Sequence, residues 1–358
     1  MKTPDTSAAP AGAVHPSAPT VAATSHLPPL IVLIGPTAVG KTAAAIGVAQ
    51  RFNGEIISAD SRQCYRGMDI GTAKPTAAEQ AAARHHLIDI LRPDEDFSLA
   101  GYVALARARI DALHARGRLP ILAGGTPLYV NAVVEGWRVP RVPPDPALRA
   151  ALEAEAARDG LVPLEARLAA VDPVAATRTA GNLRRIVRAL EVYALTNLPM
   201  SAQEGKEPPP YRILQVALTL DRSALHARAD ARVERMLATG LVAEVQALLD
   251  RGYAPTLPAM SGIGYAEIVA YLRGELTLPE ATARIMTSTH RYIRHQETWL
   301  RRNRVAERLD VACASWSETL HRRVGTFLAM DIPGAGERED EPATAAPHSD
   351  PDGDGGTP

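Results

Sequence analysis

Continuous apolar runs that end in glycine or aspartate recur along the first third of the chain. "LIVLIG" (30–35), "EIISAD" (55–60), "HLIDI" (86–90) and "RLPILAGG" (118–125) each precede a loop and a helical stretch, and "RILQVALTL" (212–220) repeats the run later. Unbroken hydrophobicity, rather than alternation, marks strands buried on both faces. Such strands separated by helical patterns predict an α/β fold, a parallel sheet covered by helices. Ligands then belong at the carboxyl ends of the strands, and Gly35, Asp60 and Gly124 all fall at such ends.

Between the proline-rich "VPRVPPDP" (139–146) and "EGKEPPPY" (204–211) the texture turns helical, without strand-like runs. A helical insertion is predicted over 141–210, splitting a core made of 28–140 and 211–332. After the fifth strand the helical pattern resumes from near Ser223, and a last long amphipathic helix spans 279–303. Residues 1–27 are Ala, Pro, Ser and Thr with almost no charge, and 333–358 are rich in Pro, Gly and Asp. Neither end carries enough apolar surface to pack, so both are expected to be disordered tails. The first lacks the contiguous apolar core of a signal peptide.

Hydrophobic residues make up 46% of the chain and charged residues 22%, with a net charge of −1. Overall charge therefore announces neither nucleic acid nor membrane, and local clusters must carry any such claim. Cys64 and Cys313 stand alone, without metal-binding spacing, and read as reduced thiols. No apolar stretch reaches the ~18–20 residues that span a bilayer. A cytoplasmic monomer is the expectation.

Gly35-Pro36-Thr37-Ala38-Val39-Gly40-Lys41-Thr42 matches the phosphate-binding loop GxxxxGK[ST], between a buried strand and the helical "TAAAIGVAQRF". This makes the core P-loop NTPase-like. The loop's N–H groups and the helix amino end form an anion site. Lys41 is suited to neutralise phosphate oxygens, and the Thr42 hydroxyl to hold Mg²⁺. The loop alone does not name a reaction. A small-molecule kinase would use the same loop with an aspartate such as Asp60 on the metal.

"ISADSRQCYRGMDIGTAKP" (57–75) and "ILAGGTPLYVNAV" (121–133) are more particular than a kinase requires. With "VDPVAATR", "NLRRIVRALEVY", "RADARVERMLATGLVAEV", "GIGYAE" and "HRYIRHQETWLRR", they resemble the tRNA dimethylallyltransferases over residues 30–305. The resemblance implies transfer of a dimethylallyl group from dimethylallyl diphosphate to N6 of adenosine 37, beside the anticodon. The loop would then hold a diphosphate that departs intact. By the same resemblance Asp60 is the general base, Thr126 a partner near the reacting groups, and Arg232 a diphosphate ligand, with Arg228 four residues earlier as second choice. Prenyl transfer to a free adenine nucleotide is the nearest alternative within this chemistry. A catalytically silent RNA-binding protein is disfavoured by the presence of Lys41 and Asp60.

The tRNA anticodon stem-loop is the implied partner. "NLRRIVRALEVY" places Leu183, Ile186, Val187, Leu190 and Ala194 on one stripe, with Arg184, Arg185 and Arg188 pointing elsewhere. On the last helix Arg284, Arg291, His295 and Arg302 lie away from Ile285, Tyr292 and Trp299. Basic faces of this kind suit backbone phosphates. The resemblance adds Asp60, Ser61, Arg62 and Gln63, Arg149 in "PPDPALR", and His290, Arg291, Arg294 and His295 as tRNA contacts. It also adds the turn Ser261, Gly262, Ile263, Gly264, Tyr265 and Ala266. Many members carry a larger polar or basic residue where Ser261 and Ala266 stand, which puts those two contacts in question. Eukaryotic members often append a zinc finger, and none is present, as in the bacterial type.

Overall fold

The computed structural model describes residues 27–330. Apart from Leu27, the expected tails 1–27 and 333–358 lie outside the described residues, as do residues 331 and 332 of the expected core. The first half of the core runs β1 (Pro29–Ile34), α1 (Lys41–Arg51), β2 (Gly54–Ser58), α2 (Ala77–Ala82), β3 (His85–His86), α3 (Leu99–His114), β4 (Leu119–Gly124) and α4 (Pro127–Val134). Next come β5 (Trp137–Arg138), α5 (Pro146–Asp159), α6 (Val162–Val171), α7 (Pro173–Thr179), α8 (Leu183–Thr196), α9 (Met200–Gln203) and β6 (Gly205–Lys206). The chain then returns through β7 (Arg212–Thr219), α10 (Arg222–Ala238), α11 (Leu241–Asp250), α12 (Tyr265–Leu272), α13 (Leu278–Arg302), β8 (Glu307–Asp310) and α14 (Trp316–Ala329).

Six strands form one parallel sheet in the order β3-β2-β4-β1-β7-β8. Central β1 is inaccessible from Leu30 to Ile34, as its unbroken hydrophobicity predicts. Its alternate residues serve opposite layers. Ile31 and Leu33 pack towards α1 and α14, while Leu30, Val32 and Ile34 pack with Tyr102, Ile110 and Val130 of α3 and α4. Helices α10 to α13 make a third apolar cluster with Cys64, Tyr65 and Met68 from the loop after β2. Helices α5 to α8 bury their own small core around Leu152, Leu164, Leu168 and Ile186. Where this helical segment leaves and rejoins the core, β5 and β6 pair antiparallel, Trp137 opposite Lys206.

Several expectations are corrected in detail. "HLIDI" is not a five-residue strand: pairing stops at His86, and Leu87 and Asp89 take left-handed backbone at φ 63° and 53°. That reversal brings Asp89 Oδ1 to 2.5 Å from the buried Lys74 Nζ, which Asp69 and the Tyr65 carbonyl also partner. The helical run from 222 is broken in two at Gly240, whose φ of 107° no helix accommodates. Strand β8, "ERLD", went unpredicted because an edge strand with only Leu309 buried shows no apolar run. On α8, Ala194 is exposed, so the apolar stripe stops at Leu190. On α13 the inward stripe is Ala281, Ile285, Thr289, Ile293, Gln296 and Leu300, so Tyr292 and Trp299 lie beside it rather than in it.

Candidate active site

The parallel sheet directs the ends of β1, β2 and β4 to one rim, and the three motifs meet there. The first is the phosphate loop. Gly40 caps α1 with a φ of 104°, open to glycine but costly for a residue with a side chain. The first-turn N–H groups of α1 have no helical partner and point into the loop. Lys41 Nζ donates to the carbonyls of Gly35 at 3.0 Å and Pro36 at 2.8 Å. Burial lowers the Lys41 pKa to about 8; Asp60 opposes that shift and Arg232 adds to it. A group so placed gains strongly from an arriving anion.

The second motif turns at Asp60. Its Oδ1 accepts from the backbone N–H of Arg62 at 2.8 Å and, more weakly, of Gln63 at 3.4 Å. The other carboxylate oxygen makes no hydrogen bond among the described residues. The residue thus caps its own turn and still presents a free oxygen towards Lys41 and Arg232, whose titration it influences. Arg232 reaches in from α10; burial lowers its pKa, and its Nε is buried without a hydrogen-bond partner. A half-buried guanidinium whose buried Nε donor is unused is a ready anion ligand. Arg228 is exposed, which leaves Arg232 as the arginine inside the site.

The third motif is the Gly124-Gly125-Thr126 turn. A Cβ on Gly124 would lie 2.2 Å from the Ala59 carbonyl, and one on Gly125 would lie 2.5 Å from Gln296 Nε2. Only glycine lets the β2 and β4 ends approach this closely. Thr126 occupies the N-cap position of α4, but its hydroxyl does not cap that helix. It accepts instead from the Ser61 N–H at 3.1 Å, holding the turn that carries Asp60. Tyr292 on α13 donates to the Gly125 carbonyl at 3.3 Å, and burial, with Asp60 nearby, pushes its phenol up to about 12. It is a neutral donor at physiological pH. Gln296, which the sequence reading left unassigned, is 2% exposed and bridges the Thr37 N–H and the Gly125 carbonyl. Its signal was present in the sequence as a polar residue, like Thr289, on the buried stripe of α13.

A cavity of about 50 Å³ lies at this rim, lined by Lys41, Thr42, Ala45, Ser58, Asp60 and Gly124 among others. Thr42 has a hydroxyl with no hydrogen bond among the described residues and stands at its wall. No group of three or more His, Cys, Asp or Glu side chains capable of holding a metal occurs among those residues.

The expected RNA contacts divide into three kinds. Arg184 and Arg185 of α8, and Arg291, Arg294 and His295 of α13, are exposed and make no ion pair among the described residues. Arg149 and Arg188 are instead engaged with Glu191, a fully buried carboxylate. Arg149 binds it bidentately at 2.7 and 2.9 Å, and Arg188 NH1 donates at 2.7 Å. Glu191 also accepts from the Asp145 N–H at 2.7 Å, so it fastens the start of α5 to α8. Hydrogen bonds from the two arginines and Asp145, and the arginines' charges, hold its carboxyl below the usual range against the opposing effect of burial. His290 is hydrogen-bonded to Asp230 at 2.8 Å and stacked on His226, joining α13 to α10.

Around 261–266 the sequence expectation needs correction at Tyr265. Its ring is 1% exposed and its hydroxyl donates to Glu244 Oε1 at 2.6 Å, so the side chain serves the interior. Glu244 in turn accepts from the N–H groups of Asp69, Ile70 and Gly71, which is why the tyrosine is drawn inward. Ser261 and Ala266 are exposed, whereas Gly262 and Gly264 are buried and Ile263 is half-buried. Arg62 donates to the Pro258 carbonyl at 2.5 Å and to Ser261 Oγ at 3.2 Å, bringing two of the expected RNA residues together. Gln63 spends its amide on Ser58, Thr72 and Ala73.

Residues 63–303 match the family model described as IPP transferase. The chain is 54% identical over 301 residues to a tRNA dimethylallyltransferase of Thermomicrobium roseum, an alignment covering 84% of this chain and 92% of that one. It is 58% identical over 275 residues to a tRNA dimethylallyltransferase of Roseiflexus sp., covering 76% and 90%. Among solved structures, the full-length tRNA isopentenylpyrophosphate transferase of Bacillus halodurans superposes with a TM-score of 0.63 at 40% identity, covering 84% of this chain and 97% of that one. A eukaryotic dimethylallyltransferase acting on tRNA superposes at 0.72 and 26% identity, covering 85% and 79%.

Proposed function

The chain belongs to the IPP transferase family, the tRNA dimethylallyltransferases, and we propose that it transfers a dimethylallyl group from dimethylallyl diphosphate to N6 of adenosine 37 of tRNA. The observation that carries this reading is the Asp60 carboxylate, one oxygen unbonded, facing an anion site built from the phosphate loop, Lys41 and the half-buried Arg232.

The C1–O bond of the allylic diphosphate breaks, and its electron pair leaves on the bridging oxygen. The N6 lone pair forms the new C–N bond, and the N6 proton passes to Asp60. Charge grows on the departing diphosphate. The loop N–H groups, Lys41 and Arg232 stabilise it from fixed positions. Mg²⁺ fits this set: the unbonded Thr42 hydroxyl at the cavity wall would hold it beside the diphosphate. Bound there, it would neutralise diphosphate charge. Thr126 acts on the turn that aims Asp60.

The adenine must leave the anticodon-loop stack to reach this rim, which costs about a few kcal/mol. Arg184, Arg185 and the exposed basic residues of α13 would offset that cost through phosphate contacts. Arg184→Ala combined with Arg185→Ala is expected to weaken tRNA binding and reduce the slope of log affinity against log salt by about 1.5, with diphosphate affinity unchanged. A filter-binding salt titration measures it. Arg188→Ala should behave differently and lower the melting temperature, because it removes a partner from buried Glu191.

No helix among the described residues is long and apolar enough to cross a membrane. Incubation with dimethylallyl diphosphate, Mg²⁺ and total tRNA, followed by nucleoside mass analysis, tests the function. The expected product is N6-(dimethylallyl)adenosine in tRNA. Modification of free adenine nucleotide alone, or phosphoryl transfer from ATP, would overturn the reading.

A further inference from the structure

We infer that Gln296 is a positioning residue that sets the phosphate loop and the Asp60 turn at their working separation. The inference rests on the function proposed above. Gln296 projects from α13, between the helix and the sheet rim, and is 2% exposed. Its Oε1 accepts from the Thr37 N–H at 2.8 Å, and its Nε2 donates to the Gly125 carbonyl at 2.7 Å. The two partners belong to different motifs and different strands: Thr37 follows β1, and Gly125 follows β4. One amide therefore ties the leaving-group cradle to the catalytic turn.

Each bond has a definite consequence. Taking the Thr37 N–H fixes the Pro36–Thr37 peptide of the loop and withdraws that donor from the anion. Diphosphate recognition is left to the N–H groups further along the loop and to Lys41. Holding the Gly125 carbonyl fixes the peptide that leads into Thr126. Thr126 Oγ1 then receives the Ser61 N–H at 3.1 Å, next to the residue that removes the proton. A Cβ at position 125 would come within 2.5 Å of Gln296 Nε2, so the glycine leaves the space in which the amide sits.

Only an amide fits both ends. A carboxylate would accept from Thr37 but face the Gly125 carbonyl with a lone pair. A thioether would satisfy neither. The amide touches neither the base nor the anion, and its effect lies in geometry: a displacement of about 1 Å between reacting groups costs on the order of 10²-fold in rate. The same helix presents Arg291, Arg294 and His295 to solvent, so the segment expected to meet RNA also carries this tie.

The test is steady-state and single-turnover kinetics of full-length wild type, Gln296→Met and Gln296→Glu, with melting temperature and tRNA affinity measured alongside. Gln296→Met keeps the volume and is expected to lower kcat about 10–100-fold. Its KM for tRNA and tRNA affinity should stay close to wild type, while the melting temperature falls modestly because the Thr37 N–H loses its acceptor. Gln296→Glu should lower kcat as well and also raise the KM for the diphosphate substrate, because it brings negative charge to the loop. Full kcat in Gln296→Met would overturn the inference. So would a parallel loss of kcat, tRNA affinity and melting temperature, which marks a residue that only packs. An inactive wild type would instead refute the proposed function, so the two failures are separable.

Discussion

Asp60→Asn is expected to lower the single-turnover rate of prenyl transfer by about 10²–10⁴-fold. The substitution is unusually clean here. The turn after β2 depends on Oδ1, which accepts from Arg62 and Gln63, and the amide oxygen of asparagine can keep both bonds. What changes is the second oxygen, which becomes an NH₂ group without basicity. Diphosphate affinity, tRNA affinity and melting temperature should therefore be nearly unchanged. The competing role for an aspartate at this place is as a metal ligand, as in a P-loop kinase. A Mg²⁺ titration of the variant separates the two: a general base is not restored by metal, whereas a lost ligand is compensated by excess Mg²⁺. Recovery of most of the rate at high Mg²⁺ would take the base role away from Asp60.

Lys41→Ala is expected to reduce turnover by about 10²–10³-fold while leaving tRNA affinity intact, since its charge faces the leaving group and not the RNA. The pH dependence gives an independent check. Burial brings the free Lys41 down to about 8, against Asp60 and with Arg232. A bound diphosphate stabilises the ammonium form and raises that value. Binding should then be tightest below about pH 8 and weaken as pH rises past it, with proton uptake. Titration calorimetry of pyrophosphate at pH 9, in buffers of different ionisation heat, measures the uptake. Lys41→Ala should abolish the lysine's share of it. Equal uptake by wild type and variant would show that Lys41 is not the titrating ligand.

These outcomes depend on features that differ in how far they could be read before folding. The phosphate loop and the residues at strand ends were legible because they are local: a glycine pattern, a buried run before it and a helix after it are all written within a dozen residues. The central strand and the long α13 were legible for the same reason, as continuous hydrophobicity and a helical stripe. The edge strand β8 was not, because at an edge one buried leucine suffices and the pattern vanishes.

Other assignments were decided only by long-range contact. Before folding, Arg184, Arg185 and Arg188 of one helix, and Arg149 by resemblance, all stood as expected tRNA contacts. Folding separates them, because Glu191 is wholly buried and must be neutralised, and it takes Arg149 and Arg188 for that purpose. Tyr265 looked like part of a surface turn until Glu244, fastening three backbone N–H groups of 69–71, drew its hydroxyl inward. Gln296 lies 259 residues from Thr37 and 171 from Gly125. By itself the sequence determined which groups the chemistry requires, since those follow from residue type and local spacing. The tertiary structure alone decided which polar groups remain free for substrates, because a buried charge or amide claims whatever partner packing brings within reach.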